Sequence, residues 1–230
     1  MMDASALDPF WMLATWVAAL GILGLAVATA PWRGWLGDAE RQHVWLGSVV
    51  IALALWAMKA GLTPGLSFHF LLATALALMH GWQLAIVGLA IVLSVLSLTE
   101  PSYWQAWGLY LLAEGAVPVL FVTWLHGLVQ RRLPHNYFVY FFVTVFFGSM
   151  LAFNLAGAAR LGLLGLAGAL PAAQIAQEWL VFLPLMSFGE PFLNGIVLAT
   201  AVVYRPRWVA SFDDRLYLAR RQPHRDSSRS

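Results

Sequence analysis

The 230-residue chain contains no cysteine and few charged residues. Without cysteine there can be no disulfide framework, thiolate metal site or thiol nucleophile. Charged residues make up 10% of the chain, whereas an average soluble domain carries about 25%. Apolar residues make up 61%, and the mean hydropathy is +0.74. This composition excludes a disordered chain and an ordinary soluble globule, and it indicates a polytopic membrane protein.

Long apolar runs are the main positive signal, because a helix needs about 20 mostly apolar residues to cross a bilayer. Six spans are predicted, at about residues 9–30, 43–62, 66–80, 82–98, 107–129 and 137–157. Residues 161–170 are too short to span, and the run 178–203 is interrupted by Pro184, Glu190 and Pro191. We interpret this region as one broken span preceded by a short interfacial or re-entrant piece. The total is seven spans, with eight as the main alternative.

The distribution of basic residues predicts the orientation of the chain. If the N-terminus is outside, only Lys59 and Arg160 of the 13 lysines and arginines fall outside, as the positive-inside rule requires. The expected fold is an all-α membrane bundle of about seven transmembrane helices, with the N-terminus outside and the C-terminus in the cytoplasm. We expect a single transmembrane domain over residues 1–210 and a polar cytoplasmic tail over 211–230, in a multi-pass protein of the inner membrane.

Several motifs of soluble enzymes are missing from the sequence. There is no P-loop, no GxGxxG turn and no HExxH motif, so the chain has no visible means of using ATP, NAD or a protease-type zinc ion. We therefore expect no enzymatic activity and no permanently bound cofactor; an intramembrane enzyme is the weaker alternative. The basic residues lie at the ends of apolar runs, which favours the lipid bilayer over nucleic acid as the partner.

Polar residues inside the predicted spans are the candidate functional residues, because ionisable groups at membrane depth are expensive. His69 lies one turn into the third span and Glu114 two turns into the fifth. Glu190 and Asn194 are four residues apart and share one face of the last span. Lys59 is placed to snorkel or to pair with Glu114. The alternatives are a structural histidine bonded to a carbonyl or serine, and structural pairing of the two glutamates.

The segment Pro64–His69 reads PGLSFH and is followed by an apolar span and the turn Gly81-Trp82. It resembles the Gly-x-Ser-x-His segment of the CbiM family, the membrane substrate-capture subunits of cobalt and nickel energy-coupling-factor transporters. The resemblance implies that His69 binds metal. It also implies a role in metal uptake linked to cobalamin synthesis, together with separate ATPase and transmembrane scaffold subunits. Weaker matches are Gly108, Leu112, Gly115 and Gly189-Glu190.

The amino terminus departs from the family, whose members begin Met-His and complete the metal site with that histidine. Here the chain reads Met1-Met2-Asp3. We predict that Asp3 and Asp8 supply ligands beside His69, with Glu114 and Glu190 as the deeper alternatives. Imidazole and carboxylate without thiolate favour transported cobalt, nickel or zinc over copper(I). The other hypothesis is a non-transporting accessory or assembly factor that keeps the fold and has lost the complete metal site.

Overall fold

A computed structural model describes residues 8–58, 60–61, 67–99, 101–168, 180–213 and 217. The described chain is almost entirely helical. Its helices are α1 (Pro9–Thr29), α2 (Trp32–Leu36), α3 (Ala39–Ala57), α4 (Ala73–His80), α5 (Trp82–Thr99), α6 (Pro101–Gln105), α7 (Trp107–Arg132), α8 (Tyr137–Leu166) and α9 (Leu180–Tyr204). Two short strands, β1 (Ala60–Gly61) and β2 (Ser67–Phe68), pair antiparallel between α3 and α4.

Five helical segments of the described residues are long and apolar enough to cross a membrane. They are α1, α5, α7, α8 and the part of α9 from Ser187 to Tyr204. Helix α3 has 19 residues but opens with the polar run Glu40, Arg41 and Gln42, and α4 has only eight residues. The prediction of a polytopic helical membrane protein is confirmed. The count of seven spans and the orientation of the termini stay predictions.

The third predicted span, residues 66–80, is helical only in its second half. Ser67 and Phe68 form the strand β2, and α4 begins at Ala73 after Leu72, which has a left-handed backbone (φ 54°). A short apolar run does not by itself distinguish a helix from a buried irregular segment. The predicted start at residue 66 is therefore wrong, because the helix begins seven residues later, at Ala73. His69 consequently lies before α4 and not within it.

The last two predicted elements also differ from the structure. Helix α8 continues through residues 161–166, so the start of the predicted separate piece 161–170 extends the sixth span. Helix α9 is continuous through Pro184 and Pro191, where we predicted a broken span. A proline inside a helix removes one N–H donor, and transmembrane helices tolerate this loss when neighbouring groups satisfy the freed backbone.

Helix α4 lies at the centre of the bundle. Its residues 73–79 are all buried, and it packs against α5, α7 and α9. Helix α1 lies at the periphery and packs on α5 and the start of α7. There the α1 backbone approaches so closely that a Cβ at Gly108 would lie 2.6 Å from the Thr15 carbonyl carbon, while the Trp16 and Trp107 rings stack at 4.8 Å.

The chain after α9 folds back over the bundle end formed by α3 and α4. The backbone amides of Ala210 and Ser211 donate to the carbonyls of Met79 and Leu78, at 3.1 and 3.0 Å. The Trp208 indole donates to Glu40 at 2.7 Å. The first residues of the predicted tail thus pack on the bundle. Residues 214–216 and 218–230 lie outside the described chain, so the domain division at residue 210 stays a prediction.

Candidate functional site

His69 lies in the irregular segment that joins β2 to α4. Its side chain is only 5% exposed, and its ring centroid is 4.4 Å from that of Trp56, a fully buried residue near the end of α3. The Trp56 indole donates to the Leu71 carbonyl at 3.1 Å. This hydrogen bond fastens the turn after His69 to α3, so α3 helps to set the position of the imidazole.

Glu114 faces His69 from α7. Its Oε2 lies 3.3 Å from His69 Nε2, and its side chain is 6% exposed. Glu114 belongs to a π-helical segment, Leu111–Ala116, within α7. Such segments are frequently found at functional sites, because the extra residue in the turn changes where neighbouring side chains point. The predicted candidates His69 and Glu114 are therefore brought together.

Arg160 completes the group, which we call the His69 triad (His69, Glu114 and Arg160). Its Nη1 donates to Glu114 Oε1 at 2.8 Å, with its side chain 10% exposed. The guanidinium carbon also lies 5.3 Å from the centre of the Tyr110 ring. Glu114 and Arg160 form an ion pair that is buried away from water. Removing one partner of such a pair typically destabilises the fold by about 3–5 kcal/mol.

Arg160 is a site residue that the sequence patterns did not indicate. The described cation beside Glu114 is Arg160; Lys59, predicted to snorkel or to pair with Glu114, lies outside the described residues, so that pairing stays a prediction. A signal for Arg160 existed, because a basic residue flanked by apolar residues in a span usually faces a partner inside the bundle. The topology prediction put Arg160 in an outer loop, and for that reason Arg160 was not treated as a residue inside a span.

Glu190 and Asn194 hold the start of α4. The Glu190 carboxylate accepts hydrogen bonds from the amides of Leu71 and Leu72, at 2.9 and 2.8 Å. Asn194 donates to Glu190 Oε1 at 2.9 Å and accepts from the Ala75 amide at 2.8 Å. Since Leu72 offers no side-chain cap, α9 supplies the cap that an N-terminus needs. The contacts are those of a helix cap, and the predicted ligand role of Glu190 stays a prediction.

The described residues include only one of the two aspartates predicted to bind the metal. Asp8 is exposed and caps its own helix, accepting from the Phe10 amide at 2.9 Å. Asp3 lies outside the described residues. Within the described ranges, no group of three or more histidine, aspartate or glutamate side chains is arranged to hold a metal ion. The ligand roles of Asp3 and Asp8 therefore stay predictions.

Two side chains of the His69 triad, His69 and Glu114, carry donor atoms that suit a metal substrate. Glu114 Oε2 is buried and makes no hydrogen bond within the described chain. Its neighbour is an imidazole nitrogen, and nitrogen with oxygen is a donor pair that borderline divalent metals accept. A complete site needs three or four donors. The triad offers two donor side chains, His69 and Glu114, whose ligand roles stay predictions.

A large cavity of about 1080 Å³ lies elsewhere, between α3, α4 and α9. Its lining is mostly apolar, and its polar residues include Glu40 and His43. Glu40 is already engaged by Trp208 and by Arg207, whose Nη2 lies 3.3 Å from Glu40 Oε1. The His69 triad is therefore the better candidate for a substrate ion.

The fold and the buried polar cluster define the class: a multi-pass helical membrane protein with charged groups paired inside the bundle. The chain matches the CbiM family, described as the cobalt uptake substrate-specific transmembrane region, over residues 2–208, and it belongs to that family. It is thus a transmembrane component of cobalt uptake, in a family of transporters rather than of enzymes. Comparison with curated proteins and with solved structures gives no match.

Proposed function

We propose that this protein captures a divalent transition metal ion, cobalt, nickel or zinc, at the outer side of the inner membrane. It delivers the ion as the substrate-capture subunit of an energy-coupling-factor transporter, with separate ATPase and transmembrane scaffold subunits, in a pathway linked to cobalamin synthesis. Membership of the cobalt uptake family supports this proposal. The observation that carries it is the buried contact of His69 Nε2 with Glu114 Oε2 at 3.3 Å.

In this proposal His69 is the primary ligand. Trp56 and Glu114 hold its ring on two sides, which reduces the conformational freedom lost on binding. Asp3 and Asp8 precede or begin α1 and supply the remaining donors. The start of α1 packs at the same end of the bundle as Tyr110 and Leu164, through Trp11. The Glu190 cap keeps the His69 turn in place.

A second candidate function is a non-transporting accessory or assembly factor. One observation favours it: within the described residues no three metal-binding side chains come together. This function predicts that the purified protein binds no transition metal, which separates it from metal capture.

Calorimetric titration of the purified full chain with Ni²⁺, Co²⁺ and Zn²⁺ tests the proposal. We expect binding by the wild type and a loss of affinity of at least about tenfold in His69→Ala, on the scale of lost metal-site groups. His43→Ala is the matched control, because His43 is an exposed histidine of α3 outside the triad. No binding by the wild type would favour the accessory function. Unchanged affinity in Asp3→Ala/Asp8→Ala would remove these two aspartates from the ligand set.

A further inference from the structure

We propose that the cavity between α3, α4 and α9 binds an anionic phospholipid, with an acyl chain inside the cavity and the phosphate at Arg205. No member of the His69 triad lines this cavity. The lipid site is therefore independent of the proposed metal capture, and each can fail without the other.

The cavity has the apolar surroundings that an acyl chain needs. Its volume is about 1080 Å³, and Leu76 and Met79 of the buried helix α4 line its inner side. Its outer edges belong to α3 and α9, where Ile51 and Ile196 are 53% and 67% exposed. In a membrane bundle such exposed apolar side chains lie against lipid tails, so a chain from the bilayer can enter between these edges.

The length of the cavity matches one leaflet of the membrane. Its ionisable residues lie at one end, among them His43 near the start of α3 and Arg205 just after α9. The lining extends about 12 Å from His43 to Ile51, and about 12 Å from Ile196 to Tyr204, at 1.5 Å rise per residue. One leaflet contributes about 15 Å of hydrocarbon, half of the core of the bilayer. The cavity thus runs from a polar end over most of one leaflet, as an acyl chain does.

The polar end of the cavity carries a surplus of positive charge. Arg207 lies 3.3 Å from Glu40 and balances its carboxylate. Arg205 is exposed and forms no ion pair or side-chain hydrogen bond with any residue that the structure describes. Its planar fork of donors matches the oxygens of a phosphate. Tyr204 and Trp208 also line this end, and both residue types are enriched at the level of lipid headgroups.

The charge at this end favours an anionic headgroup over a zwitterionic one. A phosphatidylcholine headgroup brings its own cation toward Arg205, whereas phosphatidylglycerol brings a net negative charge. We expect this end to face the cytoplasm, and basic pockets between helices on that side are typical binding sites for anionic headgroups.

Native mass spectrometry of the purified full-length protein, titrated with phosphatidylglycerol or phosphatidylcholine of the same acyl chains, measures both affinities. We expect the wild type to bind phosphatidylglycerol at least about fivefold more tightly, which is the contribution of one arginine beside an anionic lipid surface. Arg205→Gln should bring this ratio close to one and leave the phosphatidylcholine affinity unchanged. Arg33→Gln is the matched control, because Arg33 is an exposed arginine at the same end of the bundle that does not line the cavity.

A second pair of variants locates the acyl chain. Gly47 lines the cavity, and a Cβ there meets nothing within 4 Å, so the side chain in Gly47→Leu begins in open space and occupies part of the cavity. Both lipids should then bind at least about fivefold more weakly, the effect of displacing one or two buried methylene groups. Gly21→Leu is the control, since Gly21 is an exposed glycine of α1 with equally open space outside the cavity.

Equal affinity of the wild type for the two lipids overturns the proposal, and so does an unchanged preference for phosphatidylglycerol in Arg205→Gln. Unchanged affinity for both lipids in Gly47→Leu also overturns it, because the acyl chain then lies elsewhere. A wild type that binds neither lipid and forms a dimer, which Gly47→Leu dissociates, would assign the cavity to a second copy of this chain.

Discussion

Glu190 connects α9 to the turn that carries His69, and its carboxylate accepts the hydrogen bonds of the Leu71 and Leu72 amides. In Glu190→Ala both buried amides lose this acceptor, and each costs about 1–3 kcal/mol when left unsatisfied. We therefore expect the free energy of unfolding to fall by about 2–5 kcal/mol. Chemical unfolding of detergent-solubilised protein measures it. Glu190→Gln keeps one acceptor oxygen and should lose less.

Asp38 provides the control for this prediction. It also caps a helix, accepting from the Arg41 amide at 3.1 Å, but on the exposed start of α3. Asp38→Ala should cost about 1 kcal/mol, as for an ordinary solvated cap. Equal small losses in the Asp38 and Glu190 variants would contradict the view that Glu190 stabilises a buried helix start.

At the scale of single residues, the sequence predicts which polar groups are buried but not what they contact. Glu114, Glu190 and Asn194 were selected because polar groups in apolar runs usually face the protein interior, and all three are buried. Their partners are far away in sequence: Arg160 is 46 residues from Glu114, and Leu71 is 119 residues from Glu190. No spacing rule links such pairs, because they meet only after the helices have packed.

Among the elements, the contact of α1 with α7 depends on one glycine. A Cβ at Gly108 would lie 2.6 Å from the Thr15 carbonyl carbon and the Trp16 amide nitrogen, and backbone atoms cannot rotate away as a flexible side chain does. Gly108→Ala must therefore push α1 from α7, at a cost of about 1–3 kcal/mol for overpacking. The shift in thermal unfolding temperature checks this.

Gly127, in the same helix α7, is the matched control, because a Cβ there meets nothing within 4 Å. Gly127→Ala should be neutral or raise stability by up to about 1 kcal/mol through helix propensity. If both variants had the same effect, helix propensity rather than the α1–α7 contact would explain the result.

The predicted spans match some of the observed helices closely and miss the ends or the continuity of others. Helices α1 and α5 agree with the predicted spans 9–30 and 82–98 to within one residue at each end, because prolines, glycines or polar residues stop their apolar runs. The start of α4 could not be found this way: its cap comes from Glu190 on another helix. In α9 the sequence predicts a break at Pro191, yet the helix continues through it.

The whole molecule has two dissimilar ends. One end carries the His69 triad, built from the segment before α4 and from α7 and α8. At the other end the segment after α9 covers α3 and α4, through Trp208 on Glu40 and Ser211 on Leu78. Of the seven lysines and arginines among the described residues, six belong to this second end: Arg33, Arg41, Arg131, Arg132, Arg205 and Arg207. Such an excess is typical of the cytoplasmic side, so we expect the triad to lie on the outer side.

The absence of cysteine allows this orientation to be tested with single labels. Gln105 and Leu133 are exposed and flank α7, a 26-residue helix, so they lie about 40 Å apart at 1.5 Å per residue. We expect a membrane-impermeant maleimide to label Gln105→Cys in intact spheroplasts and Leu133→Cys only after lysis. The opposite pattern would invert the topology and place the His69 triad in the cytoplasm. Labelling of both variants before lysis would mean that α7 does not cross the membrane.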